Sequence, residues 1–322
     1  MSQVPTDFVA ASGADAVTIV EVGPRDGFQS VSAIIPTAQK ISIIEALLAA
    51  GITRMEAGSF VSPSALPQMA DIRSLLEALR ARGSVAHSVL VPNAKGARLA
   101  VEAGVGNLVF VLSASEQHNQ RNVRRSVAES LDELRMIAAE INSIGHFRFN
   151  LATAFDCPFE GRTSLPAAMK IVEQVLECLP ESEICLCDTT GRALPRDVAA
   201  AFAACRKSFG DRAWAYHAHD TYGLGLASVW AAFQEGVLVF DASVAGLGGC
   251  PFAPGATGNV ATEDVIYMFE SSRISTGINL VVFMESARLV ERIDGAVLGG
   301  RVRSAFEARV RRSTNLTVPG GC

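Results

Sequence analysis

Val17-Thr18-Ile19-Val20-Glu21-Val22-Gly23-Pro24-Arg25-Asp26-Gly27 is a β-branched run that breaks into a turn of two glycines, a proline and a charged pair. The run reads as a strand. The turn then excludes one common continuation. A dinucleotide fold needs Gly-x-Gly-x-x-Gly between its first strand and helix. Here the spacing differs, and a proline stands where a helix N-terminus would cradle phosphate.

Outward from that turn the same unit repeats. Apolar strand candidates at 54–60, 86–91, 107–112, 147–154, 184–187, 213–217 and 239–244 alternate with helical patterns near 38–50, 71–82, 94–103, 126–144, 166–179, 195–208, 223–236 and 259–271. Near-continuous apolar strands alternating with helices indicate a parallel sheet covered by helices. Eight such units in roughly 255 residues predict an α/β protein built as a (β/α)8 TIM barrel rather than an open doubly wound sheet. The domain reading is a flexible N-terminus (1–16), a barrel catalytic domain (17–280) and a C-terminal helical extension and tail (281–322). That extension carries one further helical stretch near 281–297 and an Arg-rich end.

Composition narrows the function. The 322 residues are 49% hydrophobic and 19% charged, with 28 Lys+Arg against 33 Asp+Glu and a net charge of −5. This balance argues against nucleic acid as a partner, and the apolar content argues against disorder. No apolar run is long enough to span a membrane, and no basic-then-apolar leader is visible. Seven cysteines without regular spacing do not read as a disulfide framework. The expectation is a cytoplasmic protein with reduced thiols.

In a barrel of this kind, chemistry sits just past the C-terminal ends of the strands. Polar residues collect at those ends: Arg25 and Asp26 after the first strand, Glu56 in the second, Asp188 after the sixth, His217-Ala218-His219-Asp220 at the seventh, and the glycine-rich 246–251 with Gly258-Asn259 after the eighth. His217 and His219 share a face at spacing i, i+2. Two imidazoles so placed can ligate a divalent metal, with Asp26 and Asn259 adding oxygen; a hydrogen-bonded buried pair is the alternative. Such a mixed set suits Mg²⁺, Mn²⁺ or Co²⁺ better than structural zinc. Arg25 reads as a surface ion pair with Asp26 or, at the barrel mouth, as a guanidinium that stabilises an enolate. Cys250, between glycine and proline on a loop, is a candidate proton shuttle. Cys185 and Cys187 share an inward face and read as small core residues. His87, His118 and His146 read as ordinary, with His118 in a loop.

VEVGPRDGFQ (20–29), EAGSFVSP (56–63), HAHDTYG (217–223) and VAGLGGCPFAPGATGNVATED (244–264) together resemble the 3-hydroxy-3-methylglutaryl-CoA lyase family of metal-dependent (β/α)8-barrel enzymes. The Arg-Asp pair and His-x-His are also similar to those of related Claisen-type synthases and aldolases. The resemblance implies cleavage of 3-hydroxy-3-methylglutaryl-CoA to acetyl-CoA and acetoacetate by a retro-Claisen step, with a role in leucine degradation. A related lyase for another 3-hydroxyacyl-CoA, or a condensing enzyme, is the alternative, and a non-catalytic acyl-CoA-binding barrel is a further one. It implies metal ligands Asp26, His217, His219 and Asn259, catalytic Arg25, Asp26, Glu56 and Cys250, and substrate contacts from Gln29, Ser59, Asn122 and Asp188. A divalent cation as cofactor, an acyl-CoA as substrate and a homo-oligomer, dimer or larger, follow from the same resemblance. The chain departs from the family pattern at Phe28, Ser30, Gly58, Phe155, Cys185 and Cys187, positions that bear on the acyl pocket; Cys185-Leu186-Cys187 stands where Ser-Leu-Gly is usual.

Overall fold

Eight parallel strands close into a barrel in the computed structural model, which describes residues 14–81, 86–140, 145–249 and 258–315. The barrel strands are β1 (Thr18–Glu21), β2 (Arg54–Ser59), β3 (Ala86–Leu90), β4 (Asn107–Ser113), β5 (His146–Ala152), β6 (Glu183–Asp188), β7 (Trp214–Ala218) and β8 (Val239–Ala242). Each pairs with its neighbours in sequence, and β1 closes on β8 through Thr18–Val239 to Glu21–Ala242. The expected strands are therefore all present, each within two residues of its expected bounds.

The helices covering them are α1 (Thr37–Ala49), α2 (Ile72–Arg80), α3 (Ala94–Glu102), α4 (Glu116–Val123), α5 (Val127–Glu140), α6 (Leu165–Cys178), α7 (Pro195–Phe209), α8 (Gly225–Gln234) and α9 (Thr262–Ser271). Their apolar stripes explain their seating. Ile72, Leu75, Leu76 and Leu79 of α2 recur at the helical period and are all buried. In α1, Ile43, Ile44 and Leu47 face the sheet, and Gly51 at φ +102° ends the chain's helical course.

Three local features differ from expectation. The turn Gly23–Gly27 is a π-helical turn that opens with Pro24 near its start, where a missing N–H costs nothing. Residues 116–123 form helix α4, so His118 lies on a helix and not in a loop. The C-terminal extension holds two helices, α10 (Leu280–Val290) and α11 (Arg301–Asn315), where one stretch near 281–297 is expected. Gly295 and Gly300, both at positive φ, fall between them. Helix α10 packs on α1 and α11 on α9. Asp264 accepts the backbone N–H groups of Arg301 and Val302 at 2.9 and 2.7 Å, capping the start of α11.

The barrel interior is apolar only in part. From its floor upward run Arg54, Glu183, Arg148, Asp241 and His217. Arg54 grips Glu183 through two 3.0 Å hydrogen bonds, Arg148 lies 3.3 Å from Glu183, and Arg148 donates to Asp241 at 2.7 Å. Buried charge is costly unless fully paired, and here each carboxylate meets a guanidinium. Despite burial, which would raise them, the arginines hold Glu183 and Asp241 below the usual carboxylate range.

Candidate active site

The mouth of the barrel gathers residues from β1, β2, β7 and the segment after β8. Arg25 and Asp26 project from the π-helical turn, which Glu21 ties to the segment after β8: its carboxyl oxygens accept from Gly23 N (2.8 Å), Val244 N (2.9 Å) and Thr262 Oγ1 (2.8 Å). His217 and His219 stand on the seventh strand and just past its end, their rings 5.1 Å apart. A two-residue antiparallel bridge sets Asn259 against His219. Ligand atoms of Asp26, His217 and His219 all lie within 4.8 Å of one another.

The chemistry of this set fits a divalent cation. Asn259 donates its amide to Asp26 Oδ2 (2.8 Å) and to the Leu247 carbonyl (3.0 Å). Its Oδ1, buried, has no hydrogen-bond partner among the described residues, and neither has His219 Nδ1. Buried polar atoms are rarely left so. His217 Nδ1 pairs with Asp241 Oδ2 at 3.0 Å, leaving Nε2 for the site, the carboxylate–histidine arrangement that commonly orients metal ligands. Burial pulls His219 down to about 4, helped by His217 beside it, so it is a neutral imidazole. Burial would lift Asp26, yet Arg25, the two imidazoles and Asn259 bring it down to about 2. A neutral imidazole and an ionised carboxylate are the forms that bind metal.

Arg25 donates to both oxygens of Glu56 (2.7 and 3.1 Å) and to Asp26 (2.6 Å). The two carboxylates hold it protonated against its burial. Three of a guanidinium's five N–H groups are thus used, and the remainder are available at the cavity. On this side the backbone comes close at two glycines. Gly248 at φ +112° would set a Cβ 2.5 Å from Asn259 Nδ2, and Gly258 at φ +107° would set one 1.9 Å from the Gly248 carbonyl, so no side chain fits either place.

A cavity of about 840 Å³ opens over these residues, lined by Arg25, Asp26, Gln29, Asn122, His217 and His219, within the size range of ligand sites. Gln29 and Asn122 therefore both face the cavity. Glu56 reaches the site through Arg25. Ser59 and Asp188 stand apart from this lining. Ser59 is buried at the end of β2, just after a register shift between Glu56 and Gly58, and does not line the cavity. Asp188 also lies off the cavity; it accepts the N–H groups of Arg192 and Ala193, both at 3.1 Å, and so builds the turn after β6. Burial raises it to about 6. Cys250 lies outside the described residues.

Sequence reasoning missed several lining residues. Arg121, Arg124 and Arg125 from the end of α4 make a cationic rim. Arg121 stacks 4.1 Å over Phe159. His118, buried beside Ser113 Oγ (2.6 Å to Nδ1) and pushed down to about 4 by burial, also lines the cavity. The RNVRR run at 121–125 was the available signal. Asp241 carried none, since a lone acid in a short strand resembles a surface position.

A TIM barrel whose strand ends bring a carboxylate and two imidazoles together, with a paired arginine beside them and a ligand-sized cavity above, has the makeup of a metal-assisted enzyme. Comparison with known proteins narrows that class. Residues 16–290 match the HMGL-like family. The mitochondrial hydroxymethylglutaryl-CoA lyase of Bos taurus is 42% identical over 275 residues, covering 85% of this chain and 84% of that one. The (R)-citramalyl-CoA lyase of Chloroflexus aurantiacus is 40% identical over 277 residues, 83% and 87% of the two chains. An HMG-CoA lyase from Acinetobacter baumannii, solved with coenzyme A and 3-methylmalate, superposes with a TM-score of 0.86 at 38% identity, over 92% of this chain and 97% of that one. The chain belongs to the HMGL-like family, and it is a carbon–carbon lyase. Among the described residues no helix is long and apolar enough to cross a membrane.

Proposed function

We propose that the protein cleaves 3-hydroxy-3-methylglutaryl-CoA to acetyl-CoA and acetoacetate, with Asp26, His217, His219 and Asn259 holding Mg²⁺ or Mn²⁺ (Co²⁺ also suits these donors). The observation that carries the proposal is the convergence of Asp26, His217 and His219 within 4.8 Å, beside an Asn259 Oδ1 with no other described partner. Once bound, the cation supplies Lewis acidity that makes the substrate's tertiary hydroxyl easier to deprotonate.

The chain's own residues do the rest. The hydroxyl proton passes to solvent, the C2–C3 bond breaks, the carbinol carbon becomes the ketone of acetoacetate, and the electron pair passes to C2 as the enolate of acetyl-CoA. Arg25 directs its unused N–H groups at the enolate oxygen, and its two-point grip on Glu56 fixes it before charge develops. A proton then returns to C2, with the Cys250 thiol as the proposed donor. Gln29 and Asn122 orient the acyl group, while Arg121, Arg124 and Arg125 at the rim match the phosphates of coenzyme A.

A second substrate is favoured by the 40% identity to a citramalyl-CoA lyase. Retro-Claisen cleavage of a citramalyl thioester gives pyruvate in place of acetoacetate. Incubating the Mn²⁺-loaded protein with each thioester and assaying the two oxo-acids separates the cases. Acetoacetate release faster than pyruvate release supports the first substrate, the reverse supports the second, and neither product overturns the proposed activity.

A further inference from the structure

Val111, Asn150, Ala152, Cys187 and His217 line one inner wall of the cavity from β4 to β7. Cys187 pairs in register with His217, so the two side chains stand next to each other on the same face. Below Cys187, toward the barrel floor, Cys185 and Ala215 are fully buried and, with Val239 against them, form a small apolar cluster separate from the main core. Cys187 Sγ lies 3.8 Å from Cys185 Sγ. Cys187 is part of this cluster and also faces the cavity, and so its thiol separates the open space from the small side chains beneath. Cys187 Sγ also lies 3.8 Å from the Cys185 carbonyl, so the thiol is held against the barrel wall.

The geometry assigns Cys187 as the residue that sets the size of the alkyl group accepted on the substrate's carbinol carbon. The inference rests on the lyase activity proposed above. In such a substrate the oxygens are drawn to Arg25 and to the cation that Asp26 and the histidines would hold, so the carbinol carbon's hydrocarbon substituent turns to the wall without charge. That wall is Val111, Ala152 and Cys187, and Cys187 is the member beside His217. A methyl group fits above the thiol. A longer chain reaches further into that wall, and beside His217 the Cys187 side chain is what it meets.

The test measures acetyl-CoA release by the Mn²⁺-loaded protein from 3-hydroxyglutaryl-CoA thioesters carrying methyl, ethyl or propyl at C3. One methylene in an apolar pocket changes kcat/KM by roughly 10–200-fold. The unaltered protein is expected to prefer methyl to propyl by at least about tenfold, within that range. Cys187→Gly is expected to raise the propyl-to-methyl ratio by at least about tenfold. Cys187→Ala shifts it the same way by less and guards against strand loosening by glycine. Cys187→Ser, of similar size, leaves the ratio near that of the unaltered protein. An active protein whose ratio is unmoved in both the Gly and Ala variants overturns the assignment alone. No release from any thioester by the unaltered protein overturns the lyase activity and this inference with it.

Discussion

His217 Nδ1 lies 3.0 Å from Asp241 Oδ2, and this contact joins the mouth of the barrel to the chain of buried charge beneath it. Asp241 in turn accepts from Arg148, which meets Glu183, which is gripped by Arg54. One imidazole of the candidate metal site is thereby aimed by residues that never reach the cavity. Asp241→Asn keeps the shape and removes the anion. Its affinity for Mn²⁺, measured by calorimetric titration, is expected to fall roughly 10–100-fold. An unchanged affinity would show that Asp241 does not orient His217.

Arg25 and Glu56 form a buried pair whose members depend on each other. Removing one partner of such a pair strands a buried charge at a cost of about 3–5 kcal/mol. Arg25→Met is therefore expected to lower stability in urea by that amount and turnover by at least about 10²-fold, the usual loss for one oxyanion donor. Adding Glu56→Gln is expected to recover most of the stability and none of the turnover. Recovery of both would mean that Arg25 serves the fold and not the reaction.

Just past β8, Glu263 accepts from Ala245 N at 3.1 Å in a fully buried setting. Burial raises it from 4.5 to about 8, and Glu21 nearby is raised to about 7 for the same reason. A carboxyl raised by folding keeps a proton that the unfolded chain has released. Its contribution to stability is full below about pH 4.5 and is lost as pH climbs toward 8. Urea denaturation between pH 5 and 8 is expected to show a shallower decline in Glu263→Gln, by up to about 1.4 kcal/mol per pH unit. Equal slopes in the two proteins would place the proton elsewhere.

The repeating units were legible because strand and helix periods alternate eight times, and the histidines because two at i, i+2 share a face. Residues 116–123 hid their helix for a physical reason: its buried positions are filled by His118 and Asn119, so no apolar stripe marks it. Helix α11 is dominated by arginine, with Phe306 among the few apolar residues that seat it on the core. Arg148, Glu183 and Asp241 were invisible because sequence gives each charge without its partner, and only the closed barrel brings together residues 93 positions apart. Asp188 shows the same limit at a strand end, where sequence could not show that the backbone of the following turn takes its oxygens.

The central claim is that Asp26, His217, His219 and Asn259 hold a cation needed for carbon–carbon cleavage, and metal removal tests it most directly. Protein stripped with chelator is mixed with 3-hydroxy-3-methylglutaryl-CoA, and acetoacetate is followed before and after Mn²⁺ is restored, with His217→Ala alongside. The stripped protein and the folded His217→Ala variant are expected to be inert, and restored protein to turn over at about 1–10³ s⁻¹. Full acetoacetate release by stripped protein, or by His217→Ala, would contradict the account.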